Sequence, residues 1–317
     1  MGRILLAPME GLVDASMRDV LTRASHYDWC VTEFARISAS VPPARFFTRI
    51  APELLQGACT ASGTPVRVQL LGSDPERLGA SAARLAALAP AGIDLNFGCP
   101  APTVNRHRGG SVLLAEPDLL FRIMRAVASG IAGRIPLTAK MRLGISDYSP
   151  ALEAAQALVE GGAELLVVHA RTKAEAYRPP AHWHWVARVA EAVNVPVVAN
   201  GEVWSVADWS ACKAASGVPD VMLGRGAVAD PLLPARLRGD LPEQIEPGDW
   251  LRLWPLLAAY WQEVMARVQA RHAPGRLKQW LNLLRRNYPQ AEVLYQAIRP
   301  LRHSADVDAA MSAARPV

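Results

Sequence analysis

Gly92-Ile93-Asp94-Leu95-Asn96-Phe97-Gly98-Cys99-Pro100 is the stretch around which the rest of the chain can be interpreted. A short apolar run that ends in Gly-Cys-Pro predicts a buried strand delivering a thiol into a loop. A packing cysteine is the alternative. Cys99, however, follows the strand instead of lying within it, and Arg106, His107 and Arg108 come soon after. A cysteine in a cationic loop is typical of a reactive thiol.

Short apolar runs of the same kind recur along the chain, with helical patterns between them. The runs cover residues 4–7, 30–34, 66–70, 93–96, 137–141, 165–169, 195–200 and 221–224, and examples of the helical patterns are residues 76–88, 117–128, 148–160 and 183–193. Eight strand–helix units predict a parallel (β/α)8 barrel, a TIM barrel of the α/β class. An open doubly wound sheet is disfavoured because no Gly-x-Gly-x-x-Gly turn follows the first run.

Polar residues stand at or just after the end of nearly every predicted strand. Because a barrel builds its active site from the carboxyl ends of its strands, we expect these side chains to meet. They are Glu10, Gln69, Asn96, Lys140, Arg142, His169, Asn200 and Arg225. The last two predicted strands lead into glycine-containing loops with Gly201, Gly224 and Gly226, which is where barrels commonly bind a phosphate.

The chain changes character near residues 238–248, a segment with glycine and proline. Beyond it, apolar stripes at helical spacing predict a small helical bundle, with Pro255 in the first turn of its first helix. Residues 246–317 contain 10 Lys and Arg against 6 Asp and Glu, which accounts for most of the net charge of +5. We therefore predict a barrel over residues 1–243 and a basic helical domain over residues 248–317.

Composition excludes several classes of protein. Half of the residues are apolar, but no run approaches the roughly 20 apolar residues of a membrane-spanning helix, and no secretory signal is recognisable. Cys30, Cys59, Cys99 and Cys212 form no Cys-x-x-Cys pair, so neither a disulfide framework nor a metal site is expected. We expect a cytoplasmic enzyme without an obligate protein partner.

With these motifs in place, the chain resembles the tRNA-dihydrouridine synthase family over nearly its whole length. The resemblance is carried by Ala7-Pro8-Met9-Glu10-Gly11, Val68-Gln69-Leu70, Asp94-Leu95-Asn96-Phe97-Gly98-Cys99-Pro100, Lys140-Met141-Arg142-Leu143-Gly144, Val168-His169-Ala170-Arg171-Thr172, Ala199-Asn200-Gly201-Glu202 and Met222-Leu223-Gly224-Arg225-Gly226. The segments 32–36 and 276–281, together with Arg299, are most similar to the bacterial subgroup C, which acts on uridine 16 of the D-loop.

The resemblance implies an FMN-binding barrel, a helical tRNA-binding domain and reduction of the C5–C6 double bond of a tRNA uridine, with NADPH as the reductant. Cys99 would donate the proton to C5. FMN, bound non-covalently, would be held by Pro8, Met9, Glu10, Gln69, Lys140, Arg142, His169, Asn200, Gly201, Glu202, Gly224 and Arg225. The residues implied in tRNA binding are Arg36, Asn96, Tyr177, Arg276, Lys278, Leu283 and Arg299.

Other functions remain open from the residues alone. The same barrel could reduce a free pyrimidine, as dihydroorotate dehydrogenases do, although that reaction does not need a basic helical domain. A tRNA-binding protein without catalytic activity would lack bound flavin. A Schiff-base aldolase using Lys140 is disfavoured by Cys99 and Gln69.

Overall fold

Nine short parallel strands form the inner wall of the fold in the computed structural model, which describes residues 2–106 and 108–316. His107, part of the predicted cationic loop, therefore lies outside the described residues. The strands are β1 (Ile4–Leu6), β2 (Trp29–Val31), β3 (Ala35–Arg36), β4 (Val66–Leu71), β5 (Ile93–Phe97), β6 (Leu137–Arg142), β7 (Leu166–His169), β8 (Val197–Asn200) and β9 (Asp220–Leu223).

The strands close into a ring. β1 pairs with β2 on one side and with β9 on the other, and the remaining strands follow in sequence back to β4, which also pairs with β2. Both β2 and β3 pair with β4, Cys30 opposite Val66 and Ala35 opposite Leu70, so they are two pieces of one barrel strand. The predicted eight-stranded barrel is confirmed.

The prediction of one continuous strand over residues 30–34 is wrong. The backbone N–H of Thr32 still donates to the carbonyl of Arg67 (3.0 Å), but the backbone N–H of Gln69 donates to the hydroxyl of Thr32 (3.1 Å) in place of a strand carbonyl, and the ladder is interrupted there. A side-chain hydroxyl that takes a ladder partner competes locally with the sheet. The strand resumes at Ala35.

Helices follow the strands. They are α1 (Ala15–Ala24), α2 (Ala44–Ile50), α3 (Pro75–Ala86), α4 (Pro102–Asn105), α5 (Pro117–Ile131), α6 (Ala151–Glu160), α7 (Trp183–Ala192), α8 (Val206–Ser216), α9 (Arg225–Ala229) and α10 (Leu233–Arg238). Of these, α4 and α9 lie at the cavity described below. The helix predicted over residues 76–88 starts one residue earlier, where Asp74 accepts a hydrogen bond from the N–H of Arg77 and Pro75 occupies the first helical position. No helix within the described residues is long and apolar enough to span a membrane.

Four further helices follow the barrel: α11 (Asp249–Arg267), α12 (Ala273–Leu284), α13 (Pro289–Ile298) and α14 (Ser304–Ala313). Their predicted apolar stripes are buried except at Met265, which is exposed, and α11 packs on α1 while α12 packs on α9. The indole N–H of Trp280 donates to the carbonyl of Val228 (3.1 Å), which ties α12 to the barrel. The position predicted for Pro255 is wrong, because α11 begins at Asp249 and places the proline inside the helix.

Candidate active site

A cavity of about 1070 Å³ opens at the carboxyl ends of the strands. It is large enough for a cofactor and part of a substrate together. It gathers Cys99, all twelve residues predicted to bind a cofactor, and three of those predicted to bind tRNA. These are Pro8, Met9, Glu10, Gln69, Cys99, Lys140, Arg142, His169, Asn200, Gly201, Glu202, Gly224 and Arg225, with Arg36, Asn96 and Tyr177.

Lys140 extends from β6 into this cavity. Burial, and then the nearby charge of Arg142, lower the pKa of its ammonium group to about 8, against the opposite effects of Asp94 and Cys99. No residue in the described part of the chain forms a hydrogen bond or an ion pair with this ammonium group. A half-buried cation without a protein partner is therefore available to an anionic or carbonyl group of a ligand.

The side chain of Arg142, predicted to bind the cofactor, is held in place by hydrogen bonds to three backbone carbonyls. Its guanidinium group donates to the carbonyls of Gly98 (2.9 Å), Thr172 (2.8 Å) and Ala176 (2.7 Å). Its charged end also lies 5.2 Å from the ring centre of Tyr177. Arg142 thus joins the Cys99 loop to the loop after β7, and this bracing uses most of its donors.

His169, at the end of β7, is neutral. Burial and the surrounding cations, Arg142 first among them, lower its pKa well below the ordinary value. Nη1 of Arg171 lies 3.4 Å from Nε2 of His169. A guanidinium group can only donate, so Nε2 accepts and the ring proton is on Nδ1. Arg171 also pairs with Glu202, whose other carboxylate oxygen accepts from the indole N–H of Trp204 (3.2 Å).

The glycines in the loops after β8 and β9 differ in how much space surrounds them. Gly201 has φ +115°, and a Cβ there would lie 2.9 Å from Cδ2 of His169, so only glycine fits. A Cβ on Gly224 would meet only the sulfur of Met9, at 3.8 Å. The guanidinium group of Arg225 lies over the rings of Tyr177 and Trp204. This arrangement allows a ligand to approach the backbone closely at Gly224.

The loop that carries Cys99 is closed on itself. The carbonyl of Cys99 accepts from the side-chain amide of Asn105 (3.0 Å) and from the backbone N–H (3.1 Å) and hydroxyl (2.9 Å) of Ser111. Gly110, at φ +69°, lies so close that a Cβ would be 2.7 Å from that carbonyl. Burial, and secondarily Glu10, raises the pKa of the thiol, so Cys99 is protonated at neutral pH.

A chain of amide side chains lies beside Cys99. Nδ2 of Asn96 donates to Oε1 of Gln69 (2.7 Å), and Nε2 of Gln69 donates to the carboxylate of Asp94 (2.7 Å). The hydroxyl of Thr138 also donates to Asp94 (2.7 Å). Neither Asp94 nor Thr138 was among the predicted site residues. The sequence did indicate that Asp94 lies near Asn96, because residues 94 and 96 are on the same face of a strand.

Four of the residues predicted to bind tRNA lie outside the cavity. The guanidinium group of Arg276 donates to the carbonyls of Gly11 (2.6 Å) and Leu12 (3.2 Å) and to Asp14 (2.7 Å), all in the segment after β1. The ammonium group of Lys278 donates to the carbonyl of Leu301 (2.5 Å). Leu283 packs partly buried on the core, and Arg299 is exposed. Trp204, Lys173 and Glu33 line the cavity but were not predicted.

Comparison with known proteins places this site in context. The family model described as "Dihydrouridine synthase (Dus)" matches residues 5–299. The chain is 56% identical to a "tRNA-dihydrouridine(16) synthase" of Ralstonia nicotianae, over 97% of this chain and 94% of that protein. It is 53% identical to the protein of the same name from Cupriavidus necator, over 97% and 96% of the two chains.

Solved structures resemble the chain in fold. A histamine dehydrogenase from Rhizobium sp. 4-9 superposes with a TM-score of 0.56 at 16% identity, over 82% of this chain and 48% of that larger one. An old yellow enzyme homologue from Zymomonas mobilis superposes with a TM-score of 0.53 at 13% identity, over 76% and 90% of the two chains. At such low identity, these likenesses support the barrel fold only.

Proposed function

The chain belongs to the dihydrouridine synthase family, and we propose that it reduces uridine 16 in the D-loop of tRNA to 5,6-dihydrouridine. One observation of the site carries this proposal: a protonated thiol, Cys99, and a half-buried ammonium group, Lys140, face the same large cavity. Reduction of a C=C bond needs a proton donor on one side and stabilisation of negative charge on the other. The cytoplasm, where tRNA is available, would be its compartment.

FMN fits the residues present. The ammonium group of Lys140 has no partner among the described residues, and the backbone at Gly224 is open to the cavity. We propose that Lys140 contacts the N1/O2 edge of the flavin and Gln69 its ring, with Pro8, Met9 and Glu10 as one wall. The phosphate would be held by His169, Arg142 and Arg225 and by the backbone of the two glycine-containing loops, at Asn200, Gly201, Glu202 and Gly224. When bound and reduced by NADPH, FMN supplies the hydride that C6 of the uracil accepts.

Cys99 completes the reaction in this proposal. Electron density that develops at C5 of the uracil takes up the thiol proton, and the raised pKa of the thiol keeps that proton available at neutral pH. Asn96, which fixes the backbone N–H groups of Gly98 and Cys99, would contact the uridine. A stacked uridine cannot reach the cavity, so it must be extruded from the tRNA, at a cost of a few kcal/mol.

We propose that residues 1–243 form the catalytic domain and residues 248–317 a tRNA-binding domain. Arg36 and Tyr177 line the cavity, where an extruded base would enter. Arg276, Lys278, Leu283 and Arg299 belong to the helical region, where the net positive charge is concentrated. Arg276 is bonded to the segment after β1, so any phosphate contact would share that guanidinium group.

The test is a tRNA transcript with uridine at position 16, incubated with flavin-loaded protein and NADPH. Nuclease digestion and mass spectrometry should locate dihydrouridine at that position, and a transcript with cytidine 16 should give none. Reduction of free orotate or uracil without turnover of tRNA would favour the free-pyrimidine enzyme. A protein that binds tRNA but retains no FMN after reconstitution would be a binding protein without this activity.

A further inference from the structure

Asp94 lies on β5 and is hydrogen-bonded to Gln69, which lines the cavity. It is 1% exposed and stands in register with Gln69 on β4 and Thr138 on β6. Its carboxylate takes part in no ion pair within the described residues, and it accepts hydrogen bonds from Gln69 and Thr138 instead. A buried carboxylate is costly unless hydrogen bonds compensate that cost, and Gln69 and Thr138 supply them here.

We propose that Asp94 is a positioning residue, whose carboxylate sets the direction of the amide chain through Gln69 and Asn96 and so holds the backbone that presents Cys99.

The direction of the chain follows from hydrogen-bond chemistry at its two ends. At the lower end, the carboxylate oxygen of Asp94 accepts, so Gln69 must turn Nε2 toward it and Oε1 toward Asn96. At the upper end, Oδ1 of Asn96 accepts from two donors, the backbone N–H groups of Gly98 (2.9 Å) and Cys99 (2.9 Å). The two ends therefore require the same orientation of both amides.

Reversing either amide would oppose donor to donor or acceptor to acceptor inside the barrel. A reversed Gln69 would place Oε1 against the carboxylate, and a reversed Asn96 would place its NH2 group against two N–H groups. Gln69 is further fixed because its backbone N–H donates to Thr32. Without an acceptor at position 94, the amide of Gln69 is no longer oriented from its buried end. Asn96, which accepts from the backbone N–H of Cys99, then loses one of the contacts that hold it in place.

The proposal relies on the proposed function only for its catalytic consequence, because the position of the thiol can be measured without flavin or tRNA. We would follow alkylation of the protein by iodoacetamide, resolved by peptide mass spectrometry. Cys99 and Cys59 are half-buried and should react, whereas Cys30 and Cys212 are buried and should report global unfolding.

In Asp94→Leu, Cys99 should be alkylated about fivefold to tenfold faster than in the wild type, as expected when one or two hydrogen bonds of ordinary net strength are lost. The rate at Cys59 should not change. Thr138→Val is the matched control, because it removes the other hydrogen bond to the same carboxylate and leaves the amide chain intact. Its Cys99 rate should stay at the wild-type value.

Equal acceleration at Cys99 in both variants, or none in Asp94→Leu, would overturn the proposal. Asp94→Asn separates the acceptor from its charge, because its Oδ1 can accept from Gln69 while its NH2 group donates to the hydroxyl of Thr138. Its Cys99 rate should stay near the wild-type value, and an acceleration equal to that of Asp94→Leu would overturn the proposal by assigning the effect to the lost charge. Should Asp94→Leu fail to fold, Asp94→Ala, which also lacks the acceptor, decides by the same measure, and no acceleration in it would overturn the proposal.

Discussion

The thiol of Cys99 and the ammonium group of Lys140 face one cavity, and burial moves their pKa values in opposite directions. Burial disfavours the charged form of each, so the thiol is protonated to a higher pH while the ammonium group loses its proton at about pH 8. At neutral pH both carry a proton. The cavity therefore presents a neutral acid and a cation together at neutral pH.

Replacing Cys99 by alanine should slow dihydrouridine formation by about two to four orders of magnitude, the usual contribution of a general acid. Reduction of bound flavin by NADPH should remain near the wild-type rate, because the thiol acts only after the hydride has been transferred. Stopped-flow absorbance and tRNA mass spectrometry separate the two steps. Cys59→Ala is the control, because Cys59 lies beside Pro65, far from the carboxyl ends of the strands. A wild-type rate of tRNA reduction in Cys99→Ala would assign the proton to another group.

Lys140→Met should stabilise the flavin-free protein at pH 7 and weaken its affinity for FMN. The folded protein holds the charged lysine at a cost, because its pKa is about 8 against 10.5 in the unfolded chain. We expect a gain of about 1 to 2 kcal/mol, since water in the cavity screens part of the roughly 1.4 kcal/mol per pKa unit. The unfolded state binds the extra proton between pH 8 and 10.5, so the wild type gains stability over that range.

Urea denaturation at pH 7 and pH 9.5 measures this difference. The advantage of Lys140→Met should shrink as the pH rises through 8, where the wild-type ammonium group loses its charge in the folded protein. An advantage independent of pH would mean that the substitution acts through packing alone.

The sequence predicted the side chains of the cavity because glycine and proline mark the end of each strand, and a barrel brings those ends together. It did not reveal the bond between Thr138 and Asp94. Those residues are 44 positions apart, and their contact depends on the register between β5 and β6, which a local pattern does not specify. The hydrogen bonds from Arg142 to three carbonyls were not predicted either, because they also join residues far apart in the sequence.

At the level of elements, the loops after β8 and β9 have opposite steric requirements at their glycines. Gly201 is hemmed in by His169 and has a positive φ, whereas Gly224 has free space facing the cavity. Both were predicted to bind the cofactor, but only the structure distinguishes a glycine needed for folding from one that leaves room for a ligand. The interruption between β2 and β3 was equally invisible, since it depends on a bond from Gln69 to Thr32.

Gly224→Ala should fold normally and bind FMN at least tenfold more weakly, because the added methyl group enters the space proposed for the cofactor, and about 1.4 kcal/mol of lost contact suffices. Fluorescence titration of the flavin-free protein with FMN measures the affinity. Gly248→Ala is the control: its position has nothing within 4 Å and lies beyond the barrel. Unchanged affinity in Gly224→Ala would place the cofactor elsewhere in the cavity.

At the level of the whole molecule, the excess of positive charge lies in the helical region after the barrel, but its cations are not equivalent. Lys278 donates to Leu301, Arg285 pairs with Glu292, and Arg286 lies 4.1 Å from the ring centre of Trp204. Arg299 is exposed. The sequence predicted the charge of this region correctly, but which cations are bonded within the protein depends on how the helices pack.

Arg299→Ala should weaken tRNA binding and flatten its salt dependence by about 0.7 to 0.9 in log–log slope, the effect of one lost phosphate contact. Filter binding at several salt concentrations gives the slope. Arg125→Ala removes an exposed arginine from α5 on the outside of the barrel and should leave the slope unchanged. If both variants match the wild type, Arg299 is a solvated surface cation.

The hydrogen bonds of Arg276 to the segment after β1 have a consequence for protein engineering. That segment carries Met9 and Glu10 into the cavity and is anchored from α12, through Arg276 and through Gln279, which donates to Gly11 (2.9 Å). A chimera that takes its helical region from a distant relative would therefore break an anchor of its own flavin pocket. Transplanting residues 9–14 together with the new helices should restore cofactor retention. The part of the chain that must be exchanged therefore consists of two segments that lie far apart in the sequence.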